Sequence, residues 1–384
     1  MDARIQSTEM SILYDCGTEM KSELKSIQIL RGIAALMVVL YHFRPVLNSE
    51  GVRFGDYLFG KGFVGVDLFF VISGFIMAYT TSLTNDAVAD VKSFAIKRAS
   101  RIYPVLFTSF IIASLSFMNL ERVLSQSFFE TLSSLALIPT TSSFPPFFID
   151  THSILGVRWT LNYEVYFYSI FAISLFFGKR RNYVLLSWII VTVFFSQLLI
   201  NGSFSAKAVS PNFESPWLSM ITNSIVLDFA IGVVVAMAIE AGVIINKRLS
   251  IACLIFVAYV SMNQVSAVKG HGLSEFGIYA AIIVYLCVCI EKNGFSFNSP
   301  ALEHLGNISY SLYLLHLSVS TFVGIIVTNL GVREYFSNGI YMVTLVAISV
   351  ISAHISYKYV ELSLSRRVRG WMMIKSGILA KDKV

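Results

Sequence analysis

The sequence predicts an all-α polytopic membrane protein of about ten transmembrane helices, with both termini cytoplasmic. Three observations predict it. The chain is 55% hydrophobic and 14% charged over 384 residues, with a mean hydropathy of +0.70, far more apolar than a soluble domain. Apolar runs long enough to span a bilayer recur along it. Lys and Arg are also unevenly placed: with the N-terminus inside, the inner segments hold 20 and the outer loops 8, and Arg31 lies within a span. That asymmetry orients the chain and accounts for the net charge of +6 without invoking nucleic acid.

Residues 1–24 form a polar tail of mixed charge with no apolar core or small-residue cleavage site, so no cleaved signal peptide is expected, and Met20 is an alternative start. The transmembrane domain is expected over 25–361, followed by a basic cytoplasmic tail over 362–384. The apolar runs fall at 27–47, 62–82, 103–120, 160–178, 183–201, 217–241, 249–265, 274–291, 308–330 and 338–361. Residues 123–138 read as an amphipathic stretch that lies in the interface or dips into the bilayer. Cys253, Cys287 and Cys289 lie in apolar runs and Cys16 in the tail, with no metal-ligand spacing, and they read as packing residues.

The first span carries Arg31 and His42. Eleven helical positions bring the two side chains back to one face, separated by roughly 16 Å of rise. A central arginine costs about 2.5–3.5 kcal/mol on insertion scales and is tolerated where it faces a bundle interior, a polar cavity or the headgroups. Snorkelling of Arg31, with His42 capping the far end, is the simpler alternative. The second span opens on Gly60-Lys61-Gly62-Phe63-Val64-Gly65, a dinucleotide-binding pattern that has meaning only in a βαβ unit and is rejected here. Asp67 follows, either pairing with a basic group across the bundle or complementing the helix N-terminus, and Ser73-Gly74 permit close helix approach. Arg98 and Arg101 share a helix face, and Pro104 suits the first turn of the third span. Two guanidiniums can clamp a pyrophosphate, although basic clusters also serve topogenesis.

In this order the stretches resemble acyltransferase family 3, the membrane O-acyltransferases that modify bacterial surface polysaccharides, of the O-antigen O-acetyltransferase type. The resemblance rests on Arg31 and His42 with ten residues between them, the run from Gly65 to Phe75, and Arg98-Ala99-Ser100-Arg101 before Ile102-Tyr103-Pro104. Trp159 to Glu164 with Phe167-Tyr168, Ile308 to His316, and Tyr359-Val360-Glu361 continue it to about Glu361. Many members place a tryptophan where this chain has Leu315 and a proline where it has Leu317 and Ser318.

The resemblance implies an acyl-coenzyme A donor, most often acetyl-coenzyme A as co-substrate, and a polysaccharide or lipid-linked glycan acceptor, with no metal and with residence in the bacterial inner membrane. It implies a coenzyme head group held by Arg31, Arg98 and Arg101 on the inner side and an arm reaching His42 as catalytic base. Histidine suits that task because its pKa lies near working pH. Glu164 is read as a catalytic partner that orients His42 or a sugar hydroxyl, or as a hydrogen-bond partner of a neighbouring helix. Asp67, Trp159 and His316 are read as acceptor-binding. Asp228, His354 and Glu361 are read as structural pairs. The outer segment 121–158, with Phe144 to Phe148, Asp150 and His152, suits either sugar stacking or interface anchoring. A transporter or flippase of lipid-linked glycans is the alternative function, although no paired broken helices or internal repeat support it. An anchored scaffold or sensor is a third class, which would not need Arg31 and His42 on one face.

Overall fold

The computed structural model describes residues 24–115, 128–150, 153–264 and 268–378. Cys16 and Met20 in the tail, residues 116–120 of the third apolar run, 123–127 of the amphipathic stretch, His152, and residues 379–384 lie outside the described residues.

Among the described residues the long helices are α1 Lys25–Phe43, α2 Gly65–Thr80, α3 Ala87–Leu115, α4 Trp159–Leu175, α5 Gly178–Asn201, α6 Val226–Glu240, α7 Lys247–Gln264, α8 Ile278–Lys292, α9 Ser309–Asn329 and α10 Asn338–Ser356. Each corresponds to one predicted apolar run, as hydrocarbon requires, because a spanning segment must satisfy its backbone polar groups internally. Among the described residues the only strand-like pairing is a bridge between Ser49 and Val52. Among the described residues seven helical stretches are long and apolar enough to cross a membrane, and the chain is a multi-pass membrane protein. The other three, α3, α4 and α7, fall short of that measure in length or composition; α4 has 17 residues, and α3 carries Lys92, Lys97, Arg98 and Arg101 in its first half.

The start of α3 corrects the expectation for Pro104. The Asp86 carboxylate accepts from the amides of Val88 and Ala89 at 2.9 and 3.0 Å, which caps a helix well before the apolar run. The helix then continues through Pro104. Arg98 and Arg101 therefore stand on the same continuous helix as the apolar run.

α2 and α6 are the closest pair. A Cβ on Gly74 would lie 2.0 Å from the Phe229 carbonyl oxygen, and one on Gly232 would lie 2.0 Å from the Val71 carbonyl oxygen, so the two backbones meet through reciprocal glycines. Phe167 of α4 stacks on Phe229 at 4.1 Å, and Phe70 of α2 packs against Trp159, Tyr163 and Phe167. Gly74→Ala is expected to force this contact apart at a cost of about 1–3 kcal/mol, read as a lowered unfolding midpoint in detergent. An unchanged midpoint would show that α6 yields freely. Opposite this core, α9 and α10 pack against Ala35, Val39 and Phe43 of α1. Glu291 of α8 accepts from the amides of Lys25 and Ser26 at 2.9 Å each, a carboxylate on the first turn of α1 that complements its dipole.

Candidate active site: two cavities with a shared wall

α1 supplies both polar residues of its stripe to open space, but to different cavities. Arg31 lines one with Arg98 and Arg101 of α3 and Glu164 and Tyr168 of α4. His42 lines the other with Trp159, His271 and Phe147. Val66 and Tyr313 line both. Tyr313 is fixed in that wall by its hydroxyl, 2.9 Å from Thr160 Oγ1 and donating to the Val157 carbonyl at 3.3 Å.

The arginine cavity is strongly cationic. Arg31 donates to Gln28 Oε1 at 3.1 Å, and Gln28 in turn donates to Asn307 at 2.5 Å, so its position is set from α9's leading segment. The Arg98 guanidinium lies 5.3 Å from the Phe94 ring and 5.2 Å from the Tyr168 ring, cation–π contacts that hold it in place and leave its charge in force. Among the described residues, no ion pair within 4 Å engages Arg98 or Arg101. Glu164 accepts from the Tyr168 hydroxyl on its own helix and faces the arginines. Glu361 accepts from the Ser311 hydroxyl at 2.5 Å, which ties the helical segment after α10, Tyr357–Leu364, to α9.

In the histidine cavity, hydrogen bonding assigns the tautomers. His316 Nδ1 faces the carbonyls of Tyr313 at 2.8 Å and Leu312 at 3.2 Å, so Nδ1 carries the proton and Nε2 a lone pair. That Nε2 lies 3.1 Å from His42 Nδ1, which must then be the donor, sharing its hydrogen with the Val38 carbonyl at 3.0 Å. The remaining nitrogen of His42, Nε2, keeps its lone pair for the cavity. This is the state a general base requires, with its ring oriented by a partner. His316, 274 residues away in sequence, is the partner.

Three placements refine the sequence reading. His316 is wholly buried, with both nitrogens engaged, so it holds His42 and does not touch an acceptor, and Glu164 stands in the other cavity. Asp67 is also wholly buried. One oxygen accepts from His271 Nδ1 at 2.8 Å and the other from the Gly272 amide at 2.7 Å, which is the pairing with a basic group across the bundle rather than an open acceptor contact. Trp159 lines the histidine cavity. Asp228 is wholly buried, and His354 lies 3.2 Å from His304.

The segment 138–150 contributes a wall. Pro145, Pro146 and Phe147 line the histidine cavity, and Phe147 meets Trp159 edge to face at 4.9 Å. Arg158 anchors this loop, donating to Ser153 Oγ at 3.0 Å and to the Ile138 carbonyl at 3.2 Å. Burial lowers its pKa to about 10, which leaves it charged at neutral pH. Sequence reading missed two residues. Arg158 entered only as a loop charge, and His271 had no signal beyond its glycine neighbours, Gly270 and Gly272.

The chain is similar in sequence to known proteins. The profile described as "Acyltransferase domain" matches residues 24–357. The exopolysaccharide production protein ExoZ of Rhizobium meliloti is 31% identical over 323 residues, 81% of this chain and 92% of its own length. The peptidoglycan O-acetyltransferase OatA of Listeria monocytogenes is 26% identical over 386 residues, 93% of this chain but 58% of its own length. No solved structure matches.

Proposed function

The chain belongs to acyltransferase family 3 and is a membrane-bound O-acyltransferase, and from that premise we propose that it moves an acetyl group from cytoplasmic acetyl-coenzyme A to a sugar hydroxyl of a surface polysaccharide, such as O-antigen or its lipid-linked precursor. The observation that carries the reading is the shared wall: three arginines on one side of Val66 and Tyr313, and an oriented imidazole on the other. Phosphates of the coenzyme suit the arginine forks, and its flexible arm would pass Tyr313 to bring the thioester to His42.

In the step itself, His42 Nε2 takes the proton of the acceptor hydroxyl as its oxygen attacks the thioester carbonyl. The C–S bond then breaks, and the departing thiolate recovers the proton from the imidazolium. No metal is called for, because the thioester is already activated and the protein's task is to position and deprotonate. Labelled acetyl-coenzyme A supplied to membranes containing the protein tests the reading: label is expected on glycan, and label that never leaves the donor would overturn it.

The proposed direction needs about ten spans, both termini in the cytoplasm and residence in the bacterial inner membrane, as the 20-to-8 basic asymmetry suggests. In a background freed of native cysteines, Ala99→Cys is expected to react with an impermeant thiol reagent only from the cytoplasmic side and Phe147→Cys only from the outer side. Labelling at 147 from the cytoplasm alone would reverse the scheme.

A further inference from the structure

We propose that His271 is an acceptor-binding residue, its Nε2 accepting a hydrogen bond from a hydroxyl of a sugar ring that lies against Trp159, with Asp67 as the positioning residue that fixes the required tautomer. The inference rests on the acyl-transfer reading above and names the acceptor's subsite within it.

The residues specify this arrangement closely. His271 lines the same cavity as His42, and its ring lies 5.6 Å from the Trp159 ring and 5.2 Å from the Phe63 ring. An apolar surface meeting a polar edge at a corner is what a pyranose presents in reverse, with C–H groups on its face and hydroxyls on its rim. The corner is held rigidly. The His271 carbonyl accepts from the Ala208 amide at 2.8 Å, and Gly272 has φ +115°, where a Cβ would lie 2.7 Å from the Ala208 nitrogen, so the turn that presents His271 admits only glycine.

The tautomer follows from Asp67. A carboxylate only accepts hydrogen bonds, so the nitrogen 2.8 Å away must be Nδ1–H, and in the neutral imidazole Nε2 is then the acceptor. Sugar hydroxyls are donors that this nitrogen can receive. A buried carboxylate behind a histidine that faces a cavity is a costly arrangement for packing alone, since apolar residues of similar volume would serve a purely structural purpose as well.

Asp67→Asn makes the argument sharp. The Gly272 amide would still require an acceptor, so the asparagine oxygen turns to it and the asparagine –NH₂ faces His271. Nδ1 then loses its proton, Nε2 gains one, and the cavity-facing nitrogen becomes a donor. Reversal of a histidine tautomer by the same chemical change is known to disable a catalytic triad without disturbing its geometry.

The experiment uses the full chain in lipid nanodiscs, acetyl-coenzyme A, and surface polysaccharide extracted from the native cells and de-O-acetylated with alkali as the acceptor probe. His271→Ala is expected to raise the half-saturating polysaccharide concentration about tenfold, the loss of one hydrogen bond, with a smaller change in the rate at saturation and donor affinity retained. Histidine ¹⁵N spectra, assigned by the signal missing in His271→Ala, are expected to show the Nδ1–H form in the parent and the Nε2–H form in Asp67→Asn. An unchanged half-saturation in His271→Ala, an equal loss of donor affinity, or an Nε2–H parent would each overturn the inference. If the parent transfers no label to polysaccharide at all, it is the acyl-transfer reading that fails, whatever the tautomer proves to be.

Discussion

His42→Ala is expected to lower acetyl transfer to glycan by about 10²–10⁴-fold, the contribution of a positioned general base, while protein level and donor binding stay near those of the parent. The residue is the end of an ordered chain: the Tyr313 carbonyl orients His316, and His316 orients His42, so that Nε2 alone faces the cavity. Alanine favours helix and removes a polar group from the bundle, and the lone pair it leaves on His316 Nε2 is a modest loss. An acyl-histidine relay competes with direct transfer, because the same nitrogen can act as nucleophile or base. Rapid-quench trapping with labelled donor and no acceptor separates them, since only the relay leaves label on protein. A variant that acetylates glycan at the parental rate would remove His42 from the chemistry altogether.

The fold was legible where hydrocarbon leaves the chain no choice. Each apolar run is a helix because its backbone must hydrogen-bond within itself, and the pattern of Arg31 and His42 placed both on one stripe of α1 before any partner was known. Reciprocal packing at Gly74 was visible only in part, since Ser73-Gly74 announces close approach but Gly232 does not name itself as the other half. Pairings across the bundle were beyond reach. His42 and His316 are 274 positions apart, and Asp67 and His271 are 204 apart, and nothing local to either histidine marks the contact. The division of labour is therefore only partly legible. Glu164, read as orienting His42 or a sugar hydroxyl or as bonding a neighbouring helix, faces the arginines; His316, read as acceptor-binding, is buried behind His42; and Asp67, read as acceptor-binding or as pairing with a basic group across the bundle, is buried behind His271. Proline misled in the opposite way: it commonly marks a first turn, but Asp86 had already capped α3.

Arg101→Ala is expected to weaken donor binding by about 10–100-fold, the scale of charge-assisted hydrogen bonds to phosphate. Arg101 stands one helical turn from Arg98, in a cavity that also receives Arg31 from α1, so three cations from two helices converge where an anionic head group would sit. Arg101→Lys keeps the charge but loses the planar fork that grips two phosphate oxygens, and it is expected to fall between the parent and alanine. That ordering separates recognition from topogenesis, because lysine and arginine orient a membrane protein equally well. Arg98→Ala is expected to follow Arg101→Ala, with some added loss of packing where its guanidinium lies over Phe94 and Tyr168. Arg31→Ala also reaches Gln28 and Asn307, so its effect on donor affinity is read beside the unfolding midpoint. Equilibrium binding of labelled acetyl-coenzyme A to detergent-purified variants measures the series directly. Equal affinity in the parent, Arg98→Ala and Arg101→Ala would show that the cluster serves orientation alone and that the coenzyme's phosphates are held elsewhere.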